Sequence, residues 1–139
     1  MAIDTLNGYN ENEKKKIFDI DKFYIEKIFD LCEKNDIEVV LLSTPSMKSY
    51  NYPKYLRMKE FSEKYKLEYL DFNLDIDIGI DWREDTADRG DHLNFHGAKK
   101  VTDYIGKVLE QKKLVNHRGD ERYEDWEKSL VKYRKYFKA

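Results

Sequence analysis

The chain has 139 residues, 40% of them hydrophobic and 14% aromatic, which suffices for one domain with a core and not for two independent ones. Its 26 basic and 28 acidic side chains nearly cancel to a formal charge of -2, so nothing draws it to a phosphate backbone regardless of sequence, and nucleic acid is not expected as a partner. The single cysteine, Cys32, excludes a disulfide framework and a cysteine-based zinc cluster, and no apolar run approaches the roughly 18 residues that would span a bilayer.

Residues 1–18 are polar and Asn-rich, carry Lys14, Lys15 and Lys16, and read as a flexible lead-in too polar for a signal peptide. From Asp19 the pattern changes. Ile25, Ile28, Phe29 and Cys32 recur at helical spacing, and Asn35 and Asp36 stop that helix, with Cys32 expected as a small core residue. Ile37 to Leu42 is an apolar, mostly β-branched run, expected as a strand buried on both faces of a parallel sheet and ended by Ser43-Thr44-Pro45-Ser46. Pro53 lies near the start of the next helix, which runs to about Lys66 with Leu56, Phe61 and Tyr65 facing inward. Leu67 to Phe72 forms a second short strand and completes a βαβ unit.

Residues 73–91 form a long acidic loop with Asp75, Asp77, Asp81, Glu84, Asp85, Asp88 and Asp91; a loop of that length in a compact domain points to function or disorder. A third helix starts near Gly97 with Val101, Tyr104, Ile105 and Val108 inward. After Asn116 to Asp120, a last helix from about Tyr123 carries Trp126, Leu130, Val131, Tyr133 and Phe137, whose aromatic face is expected to pack on the sheet or an adjoining domain. The expected organisation is one α/β domain over 19–139 with a small parallel sheet and four helices. Two strands cannot cover four helices, so one sheet edge is expected to take another strand, from an upstream segment or from a second copy of the chain.

The chemistry concentrates in Asp88-Arg89-Gly90-Asp91-His92, in a polar loop after a parallel strand, where open α/β sheets place ligands. His92 is the candidate general base. A carboxylate must then keep one ring nitrogen protonated so that the other accepts a proton. Asp88, four residues upstream, is able to fold back across Gly90, and Asp91 ranks second because neighbouring side chains point apart. The alternative is that His92 only caps the next helix or ties down its loop. His92 and His96 are four apart, a spacing that shares a face on a helix, but the helix signal begins only near Gly97 and Leu93 stands where a zinc motif of that spacing has glutamate, so no metal site is assigned. Asp75, Asp77 and Asp81 lack the glycine and glutamate of an EF-hand and read as a solvated loop. Glycine-rich phosphate loops are absent, and no cofactor is expected. Ser43, Ser46, Ser49, Ser62 and Ser129 are all the serines, none in a Gly-x-Ser-x-Gly setting; Ser43 is the best placed, yet it more plausibly helps Thr44 and Pro45 turn the chain.

The block Gly90-Asp91-His92-Leu93-Asn94, followed by Gly97-Ala98-Lys99-Lys100-Val101, resembles the C-terminal catalytic block of SGNH/GDSL-type hydrolases, in particular a Gram-positive bacterial subgroup distantly similar to proteins that transfer D-alanine to lipoteichoic acid. Val40 to Ser46, Tyr69 to Asn73 and His117 to Asp120 with Tyr123 and Trp126 extend the likeness over most of the chain from about Ile20. The resemblance implies a three-layer, flavodoxin-like fold and an ester hydrolase or acyltransferase acting on acyl esters through a Ser-His-Asp site, with His92 as base and Asp88 or Asp91 as its orienting acid. It also implies that the nucleophile and oxyanion-hole blocks lie upstream, so that this chain is the C-terminal part of such an enzyme, nearly inactive alone, from an extracytoplasmic or membrane-anchored bacterial parent. One residue departs from the family spacing: Arg89 stands three before His92, where Asp-x-x-His places the acid. A reading of another class is a non-catalytic interaction module that pairs through the exposed sheet edge. A third is a metal-dependent hydrolase using His92, His96 and loop carboxylates.

Overall fold

The structure, a computed structural model, describes residues 19–137, so the expected lead-in at 1–18 lies outside the described residues. The first helix, α1 (Asp19–Lys34), ends as its spacing predicts: Asp36 turns left-handed at φ 55°, and the Ile37 amide donates back to the Cys32 carbonyl at 2.9 Å. Strand β1 (Val40–Ser43) leads through residues 44–51 to α2 (Tyr52–Tyr65). Asn51 caps α2 by accepting the Lys54 amide, Pro53 occupies its first turn, and Lys66 closes it in the left-handed conformation at φ 53°. Strand β2 (Glu68–Asp71) pairs parallel to β1, with Val40 opposite Glu68 and Ser43 opposite Asp71. The parallel βαβ arrangement is thus present, and the mixed helix and strand content is that of an α/β chain.

Both strands are shorter than the apolar runs that predict them, and β1 is not buried on both faces: Leu42 is 42% exposed. The physical reason is that β1 has β2 as its one neighbour among the described residues, so its outer edge and part of its face lack cover. The exposed apolar side chains of α1, including Phe23, Ile28 and Leu31, belong to the same deficit. Cys32, expected in the core, is half-buried.

What core there is consists of aromatic contacts. Phe29 of α1 meets Tyr65 and Phe61 of α2 edge-on, with ring centroids 4.8 and 6.5 Å apart. Phe61, Tyr55, Leu70, Phe72 and Val101 are buried, the last on helix α3 (Phe95–Gln111), and Phe72 meets Tyr104 edge-on at 5.2 Å. Gly97 in the first turn of α3 allows the helix to approach the acidic loop, since a Cβ there would overlap the Asp85 carbonyl oxygen.

At the carboxyl end of β2 lies Asp71, with no exposed surface at all. Its Oδ2 accepts from the hydroxyls of Tyr50 and Tyr69, each at 2.8 Å, and its Oδ1 accepts from the amides of Asn73 and Leu74 at 3.0 and 2.7 Å. Four donors on one carboxylate satisfy its lone pairs, which is the condition for burying it. Burial, and then the bond to Asp71, pushes the Tyr50 phenol far above its ordinary pKa; burial does the same to Tyr69, so both remain protonated donors.

The chain falls into two compact units, one ending at Tyr104 and the other beginning at Ile105. The second contains the end of α3, a single 3-10 turn at Glu121–Tyr123 capped by Asp120, and α4 (Glu124–Phe137). Within it the His117 and Tyr123 rings lie 4.4 Å apart and line a pocket with Trp126 and Leu130. On the aromatic face of α4, Trp126 is 79% exposed and Val131 and Tyr133 are also open to solvent.

Replacing Asp71 by Ala would leave two buried phenols and two amides without their acceptor. Asp71→Ala is expected to lower the free energy of unfolding by roughly 3 kcal/mol or more, measured by urea denaturation followed by circular dichroism. A change within about 0.5 kcal/mol would mean that the network contributes nothing to stability.

Candidate catalytic site at the Asp88 loop

The acidic loop is solvated at Asp75, Asp77 and Asp81, as expected, and is also organised by its own carboxylates. Asp75 accepts from the Tyr55 hydroxyl, Asp77 from the Gly79 amide at 2.8 Å, and Asp81 from the amides of Arg83 and Glu84. Asp85 is buried and pairs with Lys100 at 2.6 Å while accepting the Asp81 amide at 2.7 Å. The Lys100 bond holds the Asp85 carboxyl below its ordinary pKa. These turns bring Thr86 opposite Leu93 in an antiparallel bridge, with the Ala87 amide on the His92 carbonyl at 2.9 Å. Asn94 fastens the base of this turn to α3: its Oδ1 accepts the amides of His96 and Gly97, and its Nδ2 donates to the Glu84 carbonyl.

The tip of the turn carries the candidate residues. Arg89 and Gly90 both have positive φ, 61° and 97°, which reverses the chain between Asp88 and His92. The Gly90 position is also crowded, since a Cβ there would press on Met47. With the chain reversed, Asp88 Oδ1 accepts the amides of Asp91 and His92 at 3.0 and 2.7 Å, and Asp88 Oδ2 lies 2.5 Å from His92 Nδ1. Asp88 and His92 are therefore brought together across Gly90. Asp91 is near but differently engaged. Its Oδ2 lies 3.8 Å from the same nitrogen, and its Oδ1 accepts from the hydroxyls of Ser46 at 3.0 Å and Ser49 at 2.5 Å.

The electrostatics follow from those bonds. The bond to His92, then the two backbone amides, lowers the Asp88 carboxyl to about 2. The same bond raises the His92 imidazole above its ordinary value, with the Asp91 charge adding to it. Hydrogen bonds from Ser49 and Ser46 hold Asp91 down. The His92 side chain is 76% exposed, so solvent screens all of these interactions, and Nε2 is the ring nitrogen left for chemistry.

Among the described residues no serine hydroxyl bonds to His92. Ser43 pairs with the Tyr69 hydroxyl at 2.8 Å, and Ser46 and Ser49 point to Asp91. For a cation, Asp88, Asp91 and His92 each offer one ligand atom, all within 4.8 Å of one another, while Asp88 Oδ2 and His92 Nδ1 are hydrogen-bonded to each other. His92 and His96 do not share a helix face: α3 begins at Phe95, close to the start expected near Gly97, so His92 precedes the helix, and the His96 ring lies edge-on to Phe95.

Sequence reading missed the support of this site. Ser46 and Ser49 form a small turn, the Ser49 amide on Ser46 Oγ at 2.9 Å, that presents both hydroxyls to Asp91. Asn73 fixes that turn to the sheet, accepting the Ser46 amide at 2.9 Å and donating to the Thr44 carbonyl at 3.0 Å. The available signal was serine at i and i+3 after a proline, and asparagine two residues after a strand-end aspartate. No family model, curated protein or solved structure matches the chain.

The raised His92 pKa and lowered Asp88 pKa set a pH window. A histidine raised by its partner adds stability at pH below its ordinary 6.5 and loses it as pH rises through the folded value; Asp88 adds stability above its ordinary 3.8 and loses it as pH falls toward 2. The pair is therefore most stabilising between about pH 4 and 6.5. In ring-proton NMR titrations, His92 is expected to titrate above 6.5 and to move down in Asp88→Asn, with a smaller move in Asp91→Asn. An equal titration in wild type and Asp88→Asn would break the assigned pairing.

Proposed function

We propose that this chain carries the acid/base half of an SGNH/GDSL-type ester hydrolase or acyltransferase site, with His92 as general base and Asp88 as its orienting acid. The observation that carries the reading is the 2.5 Å approach of Asp88 Oδ2 to His92 Nδ1, made while two backbone amides hold the other carboxylate oxygen. A carboxylate so held fixes the tautomer that leaves Nε2 free to take a proton, and it stabilises the imidazolium that results. The position agrees with the chemistry, since the pair sits in the polar loop between a parallel strand and a helix, where α/β sheets bind ligands.

In this reading an alcohol nucleophile, from outside the described residues, gives its proton to Nε2 and attacks the acyl carbon. The imidazolium then returns the proton to the leaving alcohol, and water repeats the cycle to release the acid. Asp91, held by Ser46 and Ser49, supports the loop and adds negative charge near the ring. The three-layer flavodoxin-like fold belongs to the same proposal, with the parallel βαβ unit as its support.

A second reading, an interaction module, is favoured by one specific observation. β1 lacks a neighbour on its outer side among the described residues, while large apolar side chains of α1 stand exposed. Such an edge suits strand addition by a second copy or by another segment.

The chain alone is expected to hydrolyse p-nitrophenyl acetate slowly, with a rate that rises with pH through the His92 pKa. His92→Ala is expected to lower that rate by about a hundredfold. Fluorophosphonate should leave the intact mass unchanged, and chelators should leave the rate unchanged. A His92-dependent covalent adduct would place the nucleophile within this chain, and an unchanged rate in His92→Ala would remove the acid/base role.

A further inference from the structure

Beside the Asp88 loop lies an open cleft of about 840 Å3, lined by Met47, Ile80, Trp82, Arg83, Arg89 and Asp81 together with Thr86 and Ala87. It shares a wall with the candidate site, because Ala87 donates to the His92 carbonyl and Arg89 follows Asp88. The charges around it are unevenly engaged. Most acids of this loop are already bonded, Asp81 to two amides, Asp85 to Lys100, Asp88 to His92 and Asp91 to two serines, while the exposed Glu84 beside Arg83 has no carboxylate bond among the described residues. The guanidinium groups of Arg83 and Arg89 pair with no carboxylate among the described residues, although both sit in a strongly acidic segment.

Arg89 carries a second sign. It holds a left-handed backbone, φ 61°, away from any helix end, where a side chain costs about 1 kcal/mol and glycine costs little. The residue at this position keeps a large cation despite that cost, and the cation lines the cleft. Trp82, Ile80 and Met47 provide the apolar remainder of the surface.

We propose that this cleft binds an amphiphilic oxyanion, its carboxylate or phosphate on Arg83 and Arg89 and its apolar portion on Trp82, Ile80 and Met47. On the acid/base reading above, from which this inference takes its substrate class, the cleft selects acyl esters that carry a negative charge. Planar guanidinium groups match both oxyanions, and an indole beside them offers an apolar face to the adjoining chain. Asp81 also lines the cleft, with its Oδ1 turned to the amides of Arg83 and Glu84, so the anion is placed on the two guanidinium groups rather than beside this carboxylate.

The test is binding, read separately from turnover. Trp82 and Trp126 are the two tryptophans, so their indole N–H signals report on the cleft and on a control position in the second unit. Hexanoate and hexyl phosphate are titrated as the two sources of oxyanion, with 1-hexanol as the uncharged probe. At least one oxyanion is expected to shift Trp82 saturably and to leave Trp126 in place, and their relative affinities decide between carboxylate and phosphate. Arg83→Gln and Arg89→Gln should each weaken binding by about tenfold. Arg89→Gly should weaken it equally without lowering the melting temperature, because glycine accepts the left-handed backbone.

His92→Ala should retain binding, so loss of hydrolysis with binding intact separates the two roles. Hydrolysis unaffected by His92→Ala with binding intact would overturn the catalytic reading and leave the cleft standing. Equal binding of 1-hexanol, undiminished affinity in the arginine variants, or no saturable shift at Trp82 would each overturn the cleft.

Discussion

The site depends first on a buried charge. Asp71 ends β2 with no solvent contact, and a carboxylate there is tolerable only because two phenols and two amides converge on it. Each donor comes from a segment that matters. Tyr50 precedes α2, Tyr69 lies within β2, and the amides of Asn73 and Leu74 begin the acidic loop. One carboxylate thus ties the exit of the sheet to the segment before α2 and to the loop that follows. Asn73, placed by that turn, grips the residues after β1, and through Ser46 the grip reaches Asp91. The chain of bonds ends beside His92, where Asp91 stands 3.8 Å from the ring.

That sequence of contacts explains how a polar, exposed histidine is given a defined orientation in a domain with a small core. Apolar burial is modest here: the buried hydrophobic side chains are few, and α1 leaves much of its apolar surface in water. Directional hydrogen bonds compensate locally. The Asp88 turn is held by backbone amides, by the Thr86–Leu93 bridge and by Asn94 at the start of α3, none of which requires a thick hydrophobic layer. The same economy of partners leaves Arg83 and Arg89 without a carboxylate among the described residues, and so the loop, though rich in aspartate, presents cations to the adjoining cleft.

Much of the local structure was legible in order of chain. The helical spacing of Ile25, Ile28, Phe29 and Cys32, the Pro53 signal, and the two apolar runs yield helices and strands close to those observed. The pairing of His92 with a carboxylate four residues back was also legible, because Gly90 between them is a residue that tolerates the reversal. Burial was less so. An apolar run such as Ile37 to Leu42 is compatible with two-sided cover, but cover is supplied by neighbours, and β1 has a single one among the described residues. The aromatic stripe of α4 was read as packing on the sheet or an adjoining domain, and its Trp126 and Tyr133 are exposed.

The sequence by itself determined what is encoded within a few residues: the helix periods and caps, the parallel βαβ order, and the short Asp88–His92 reach across a glycine turn. Those depend on backbone preference and on contacts that close within a turn. The tertiary structure decided which carboxylate keeps which partner. Asp71 takes its donors from 2 to 21 residues away, Asp91 takes its serines from 42 and 45 residues away, and Asp85 finds Lys100 15 residues on. No local pattern fixes such pairings, because side chains separated along the chain meet only after the sheet, the loop and α3 have come together.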